Sequence, residues 1–363
     1  MFINIVTMTY PLEITERSIE HTNSILQSLK KMDLINRKLL LVFNKESFIG
    51  VLSIGDIQKA IISNISFDTP INHIMRKEFV SANSKSSKSD VLEMMKKYRI
   101  ECMPVISDEG DLVSVYLWED LFIEKDIAPA KQFNLPVVIM AGGLGSRLKP
   151  LTNVLPKPLI PIGDKTMLEE IFDRFSKHGS ETFYISLNYK SELIEYYIQN
   201  LCLPYKLHFL KEKMQLGTAG SLSLLKGFLH ETFFISNCDI LIDQDYSEIL
   251  SYHRENKNEI TLVAALKHYL IPYGTIETGE NGQLIELKEK PELTLKINSG
   301  MYILEPHLLY EIPDNQFFHI TQLIENVRKR KGNVGVFPVS EKSWKDVGNW
   351  EELSKNIMNN QKE

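Results

Sequence analysis

Three glycines, an arginine and a lysine crowd one short stretch of this chain, AGGLGSRLKPLTNVLPKP over residues 141–158, and together they could hold a phosphate. Gly142, Gly143 and Gly145 permit positive φ and a close approach of backbone N–H groups to an anion, while Arg147 and Lys157 add charge that neutral amides lack. Pro150, Pro156, Pro158 and Pro161 stiffen the loop that follows. A Walker loop would close on Gly-Lys-Ser/Thr, and a dinucleotide fingerprint would place a third glycine where Leu148 stands. Neither is present. A glycine turn after a strand is commonly only a turn, so it is the basic pair and the prolines that point to phosphate.

The elements that must position these groups follow from hydrophobic patterning. The apolar run Leu135–Met140 reads as a buried parallel strand, which sets the glycines at a strand end. After it come a helix through Met167 to His178 with Gly179 as its stop, the strand TFYISLN, a helix from Glu192, and the strands KLHFL, TFFISN and ITLVAAL. Such alternation implies crossover connections, a mainly parallel sheet covered by helices, and a ligand outside the carboxyl ends of the strands.

The first third of the chain is built differently. Ser24 to Ile57 reads helix, strand, strand, helix start, and Asp90 to Leu121 repeats that order. Two stacked copies of one supersecondary unit are expected. Between them, Asp68–Met75 reads as a turn plus a short amphipathic helix, and Ser81–Ser89 as a polar loop. A linker is expected at 125–134, where Ala-Pro and charged residues interrupt the periodicity. The expected division is thus 1–124, linker, and 135–363.

With 363 residues the chain has room for two cores, and a net charge of −6 implies no DNA-binding surface. Three widely spaced cysteines, Cys102, Cys202 and Cys238, without a CxxC pair, suit reduced thiols in a cytoplasm, with Cys238 as a small buried side chain at a strand end. No run approaches membrane-spanning length, and the start lacks a basic region before a long apolar core, so neither export nor anchoring is expected.

The stretch 142–158 resembles the signature of the sugar-1-phosphate nucleotidyltransferases, the superfamily of GDP-mannose pyrophosphorylase and glucose-1-phosphate thymidylyltransferase. Its pattern G-G-x-G-x-R-x-x-P-L-T followed by P-K-P is met by Gly142, Gly143, Gly145, Arg147, Pro150, Leu151, Thr152, Pro156, Lys157 and Pro158. The resemblance spans roughly residues 135 to 350 and implies a Rossmann-like α/β domain. It also gives meaning to two distant carboxylates, Asp239 after TFFISNC and Asp346 in SWKDVGNW, which jointly hold Mg²⁺ in this superfamily. A hard cation that bridges phosphates takes such oxygen ligands. The resemblance assigns catalysis to Arg147, Lys157, Asp239 and Lys290. Nucleotide binding falls to Gly142, Gly143, Gly145, Arg147, Glu212, Gly217 and Thr218.

In the family, the loop corresponding to Gly217–Leu222 packs flat against the nucleobase; helix capping is the alternative role for Thr218. Glu212 bears on the choice of base, because a carboxylate accepts from both N1–H and N2–H₂ of guanine, whereas uracil or thymine would set a carbonyl against it. GTP is favoured. Gln215 stands where relatives usually carry proline, so a less rigid loop is expected. The sugar side resembles three family segments: Tyr273–Glu277 with Gly274 and Glu277 as contacts, Glu289-Lys290-Pro291 with the lysine on the sugar phosphate, and Asn298-Ser299-Gly300 with Asn298 as a strand-edge contact.

Residues 1–124 resemble a pair of CBS domains, which commonly bind adenosine nucleotides and pass their presence to an attached enzyme. Their G-h-h-S/T-x-x-D turn is matched by Gly50, Ser53 and Asp56, the hydroxyl for phosphate and the aspartate for ribose. Ser114, Leu117 and Asp120 hold those places in the second repeat, so at most one competent cleft is expected. Ser53 and Asp56 also suit a helix cap and first turn without any ligand. The expected fold is therefore a tandem CBS module followed by a mainly parallel α/β nucleotidyltransferase domain, in a homo-oligomer.

Within the superfamily, this combination resembles bacterial enzymes that make GDP-sugars for nonulosonic acids, notably the glucosamine-1-phosphate guanylyltransferases of legionaminic acid synthesis. Mannose-1-phosphate guanylyltransferases and glucose-1-phosphate thymidylyltransferases are the alternatives. No hexapeptide repeats follow Trp350, so a bifunctional uridylyl- and acetyltransferase is not expected. A nucleotide sensor with an inactive transferase domain would lack the charged set that is present. A Rossmann oxidoreductase would need an acidic residue where TFYISLN offers Asn188.

Overall fold

The computed structural model describes residues 12–98, 100, 102–117, 130–348, 350 and 353, and the chain divides into two compact units, Met1–Pro129 and Ala130–Glu363. Asp120, the rest of the second repeat's closing segment and residues 125–129 of the expected linker lie outside the described residues.

The first unit holds two three-stranded sheets of matching design. In one, β1 (Ser18–Glu20) runs parallel to β2 (Leu39–Asn44), which pairs antiparallel with β3 (Ser47–Ser53). In the other, β4 (Ala82–Asn83) runs parallel to β5 (Cys102–Ile106), which pairs antiparallel with β6 (Leu112–Leu117). A helix precedes each hairpin, Ile25–Ile35 and Lys88–Tyr98. The two edge strands, one of them inside the expected polar loop Ser81–Ser89, are too short to carry a readable period. The helix expected at Asp68–Met75 is a single 3₁₀ turn, Ile71–His73. One buried side chain, Ile71, makes no apolar stripe, and Arg76 is drawn into an antiparallel bridge with Val51 that forces extended backbone.

The second unit is organised around a seven-stranded sheet. Its first strand, β7 (Val137–Met140), is followed by a small hairpin of β8 (Pro161–Ile162) and β9 (Lys165–Thr166). Next come β10 (Thr182–Leu187), β11 (Lys206–Lys211) and β12 (Phe233–Asn237), and these three run parallel with β7 in the order β11-β10-β7-β12. A short strand, β13 (Ile240–Ile242), leaves the sheet, and β14 (Ile260–Leu270) returns to it. The hairpin β15 (Thr275–Thr278) and β16 (Leu284–Lys288) precedes the long β17 (Glu292–Leu304), which lies between β12 and β14 and is antiparallel to both. The sheet closes with β18 (Val334–Val339), parallel to β14, and β19 (Trp344–Asp346) pairs with β13.

Strand β7 reads as a continuous apolar run because both faces are covered. Val137 and Ile139 face a core with Phe172, Phe175 and Ile194, and Val138 faces a second core with Leu222, Leu323 and Val327. The helix Met167–Ser176 starts at a capping box, Thr166 with Glu169, and the chain leaves it through Gly179 at φ 80°. Its Phe172 is fully buried, so truncation to alanine would cost about 3–5 kcal/mol. The registers Ser186↔Met140 and Met140↔Asn237 bring the carboxyl ends of β10, β7 and β12 level, and the site lies beyond them.

Candidate active site

A cavity of ≈ 430 Å³ opens beyond these strand ends, lined by Gly142–Arg147, Lys157, Glu212, Gly217, Thr218, Asp239 and Gly348 among others. The glycines of the first turn serve different purposes. Only Gly145 has positive φ, 63°, and its carbonyl accepts from the buried Thr152 hydroxyl at 2.9 Å. Positive φ was expected for all three. Gly142 instead supplies room, since a Cβ there would lie 2.7 Å from Glu212 Oε1, and Gly143 faces open space.

Charge gathers on Asp239. The Lys157 ammonium donates to Asp239 Oδ2, and Arg147 Nη2 stands 3.8 Å from the same oxygen. The side chains of Lys157 and Asp239 are only 11% and 12% exposed, whereas Arg147 is 64% exposed. The inner pair is therefore shielded, and the arginine stands open to solvent. Asp346 joins them through the β13–β19 pairing, in which Ile240 lies opposite Asp346, and the Val347 N–H donates to the Asp239 carbonyl at 2.8 Å. A Cβ on Gly348 would lie 2.6 Å from Asp346 Oδ1, 2.9 Å from Asp239 Oδ2 and 3.1 Å from Arg147 Nη2. Both carboxylates thus border one point, and a side chain at Gly348 would have to displace them. Two such oxygens suit a hard divalent cation.

The neighbouring Cys238 is buried, and desolvation pushes its thiol up to about 12, so it is a packed side chain with no thiolate character near neutral pH. None of the three cysteines is in a disulfide.

Glu212 lines the cavity while holding its frame. Ser186 Oγ donates to Oε1, and the Leu216 N–H donates to Oε2 at 3.0 Å. The second bond fixes the loop where proline is missing, because Gln215 immediately precedes the anchored amide. A carboxylate oxygen has further lone-pair capacity, so acceptance from a ligand remains open to it. Gly217, at φ 79°, lies against Phe318, whose carbonyl accepts from Ala219 and Gly220, 3.0 Å each. Thr218 caps a helix other than its own. Its hydroxyl accepts from Ile320 N–H at 3.0 Å, at the start of the helix Ile320–Lys329.

The sugar-side residues do not line this cavity. Gly274 and Glu289 are neighbours, with Glu289 Oε2 3.0 Å from where a Gly274 Cβ would stand, and Glu277 sits opposite Glu286 in the β15–β16 hairpin. Lys290 adopts left-handed φ, 45°, just before β17. Asn298 is tied to Gly300, whose N–H it accepts at 3.2 Å, and Gly300 abuts Asn237 of the cavity wall. Sequence reasoning missed Gly348 and Phe317, which also lines the cavity. Gly348 lies two residues from a named aspartate; Phe317 offered no signal beyond its type.

In the first unit, Ser53 and Asp56 form a closed cluster. Asp56 Oδ2 accepts from Ser53 N–H at 2.9 Å and from its hydroxyl at 2.6 Å, and Oδ1 accepts from Arg76 Nε at 2.7 Å. Gly50 lets this chain segment approach, since a Cβ there would lie 2.3 Å from the Arg76 carbonyl.

A mainly parallel sheet with a glycine turn, a basic pair and two carboxylates at its carboxyl edge defines the class of Rossmann-like, phosphate-handling α/β domains. The chain belongs to the nucleotidyl transferase family, whose model matches residues 136–363, and a CBS domain model matches residues 71–124. It is 32% identical over 185 residues to the mannose-1-phosphate guanylyltransferase catalytic subunit beta of Dictyostelium discoideum, covering 49% of this chain and 52% of that one. It is 29% identical over 228 residues to the D-glycero-alpha-D-manno-heptose 1-phosphate guanylyltransferase of Campylobacter jejuni, covering 62% of this chain and 100% of the relative. The chain thus spans about half the length of the mannose relative and all of the heptose one. The crystal structure of HddC from Yersinia pseudotuberculosis is 25% identical with a TM-score of 0.49, over 62% of this chain and 99% of that one. Among the described residues, no helix is long and apolar enough to cross a membrane.

Proposed function

We propose that this chain transfers a guanylyl group from GTP to a sugar 1-phosphate and releases pyrophosphate. The observation that carries the reading is the convergence of Arg147, Lys157 and Asp239 on one cavity behind a glycine turn, with the Asp346 carboxylate beside Gly348 of its wall. An oxygen of the sugar phosphate attacks the α-phosphorus in line, a new P–O bond forms, and the bond to the β-phosphate oxygen breaks. Repulsion between two anions is the chief obstacle, so the protein's task is neutralisation and alignment. Arg147 takes the triphosphate, Lys157 the α-phosphate and Lys290 the sugar phosphate, while the Gly142–Gly145 amides cradle the chain of phosphates. Asp239 and Asp346 would hold Mg²⁺, which would neutralise phosphate charge when bound. The attacking phosphate is already ionised, so no general base and no protein nucleophile is required.

Guanine is supported by Glu212 on the cavity wall and by guanylyltransferase relatives. Glucosamine 1-phosphate, as a precursor for nonulosonic acids such as legionaminic acid, is the proposed acceptor, with Gly274, Glu277, Glu289 and Asn298 as its contacts. Mannose or a manno-heptose 1-phosphate is the second reading, favoured by the names of those relatives. Residues 1–124 are proposed as a regulatory or dimerising module that takes an adenine nucleotide at Ser53 and Asp56, within a cytoplasmic homo-oligomer.

Pyrophosphate release, measured with Mg²⁺ over the common nucleoside triphosphates and dTTP against glucosamine, mannose, manno-heptose, glucose and N-acetylglucosamine 1-phosphates, tests the proposal. A GTP signal with one sugar is expected. Signal with dTTP or UTP alone would overturn the base, and silence from folded protein would overturn the activity.

A further inference from the structure

We infer that Phe317 is the stacking platform for the nucleobase, which makes it a specificity-determining residue that favours purines; the inference rests on the nucleotide-binding reading above. The residue is 55% exposed, although large apolar side chains in this unit are mostly buried. It lines the same cavity as Glu212, Gly217 and Thr218.

The backbone that follows the ring is fixed. Phe318 is buried in the core, its N–H donates to the Leu216 carbonyl at 2.9 Å, and its own carbonyl receives Ala219 and Gly220. His319 meets the Phe317 ring edge-on at 4.7 Å, with 80° between the planes. An aromatic ring left half in water on a clamped backbone is poised to receive a flat partner. Because the cavity's other groups are Arg147, Lys157 and phosphate-cradling glycines, that partner is a heteroaromatic base carrying a polyanion. The geometry also links the platform to the family loop. Any base held against Gly217–Thr218 meets a wall whose position is set by the Phe318 peptide, one residue from the ring.

Stacking of this kind contributes roughly one decade of affinity per base, and more for the larger purine surface. Calorimetric titration of the full chain with GDP, ADP, UDP and pyrophosphate, using wild type, Phe317→Ala and Phe317→Tyr, tests it. Phe317→Ala should bind GDP about tenfold more weakly, UDP less affected and pyrophosphate unchanged, with Phe317→Tyr restored and melting temperature unmoved. In turnover, KM for the triphosphate should rise while kcat holds. A Phe317→Ala protein that binds GDP like wild type overturns the inference alone, as does an equal loss for pyrophosphate, which would mean general damage to the cavity. Wild type that binds no nucleotide overturns the underlying reading as well.

Discussion

Two acidic clusters in this protein use the same side-chain chemistry and end in opposite states. At Asp56, the serine cap and the Arg76 guanidinium occupy both carboxylate oxygens and tie a helix start to the strand before it. At Asp239, a lysine and an arginine share one oxygen, a second carboxylate stands nearby, and a cavity remains in front. The helix-cap carboxylate takes one oxygen's partner from three residues away and the other's, Arg76, from twenty. The one placed beyond a buried parallel strand draws its lysine from 82 residues upstream, and a cavity stays open before it. Motif chemistry alone would not have separated the two.

The sharpest way to break this contrast is at Lys157. Lys157→Ala should lower kcat by about 10³-fold, because preorganised charge is lost where charge develops, with much less effect on unfolding than on turnover. Retained turnover in a steady-state assay would place Asp239 with Asp56 as a structural cluster. Gly348→Ala comes next: a methyl group 2.6 Å from Asp346 Oδ1 displaces one carboxylate, and about 10²-fold less activity is expected in the same assay.

The closed cluster predicts a smaller effect of another kind. Asp56→Ala removes a capping partner and should destabilise the first unit by about 1–2 kcal/mol in a denaturant titration. If AMP raises the wild-type melting temperature and the variant loses that rise, the cluster opens for a ligand and the contrast becomes one of degree. Smallest is a pH effect at a third, closed group. Hydrogen bonds from the Arg330 guanidinium hold the Glu259 carboxyl down at about 2 from its ordinary 4.5. Its stabilising contribution is therefore complete above 4.5 and is lost as pH falls toward about 2. Urea midpoints across that window should decline less in Arg330→Gln than in wild type.

Much of the fold was legible because period and burial are local. The β7 run, the helix ended by Gly179 and the doubled helix-hairpin unit follow from spacing alone. What escaped was decided at a distance. The strands β1 and β4 exist only as partners of β2 and β5, and the segment 68–75 failed to become a helix because Arg76 pairs with Val51.

By itself the sequence determined that the glycines, Arg147 and Lys157 fall within one short stretch after a strand, the pattern from which phosphate handling is proposed. Only the tertiary structure decided how the distant groups divide. It set Asp346 beside Asp239 through strand pairing, turned Glu212 into a brace as well as a wall, sent Thr218 to cap another helix, and kept the β15–β16 hairpin residues off the cavity lining. The physical reason is that hydrogen-bonding capacity belongs to a residue, whereas the partner that uses it is chosen by packing across the whole sheet.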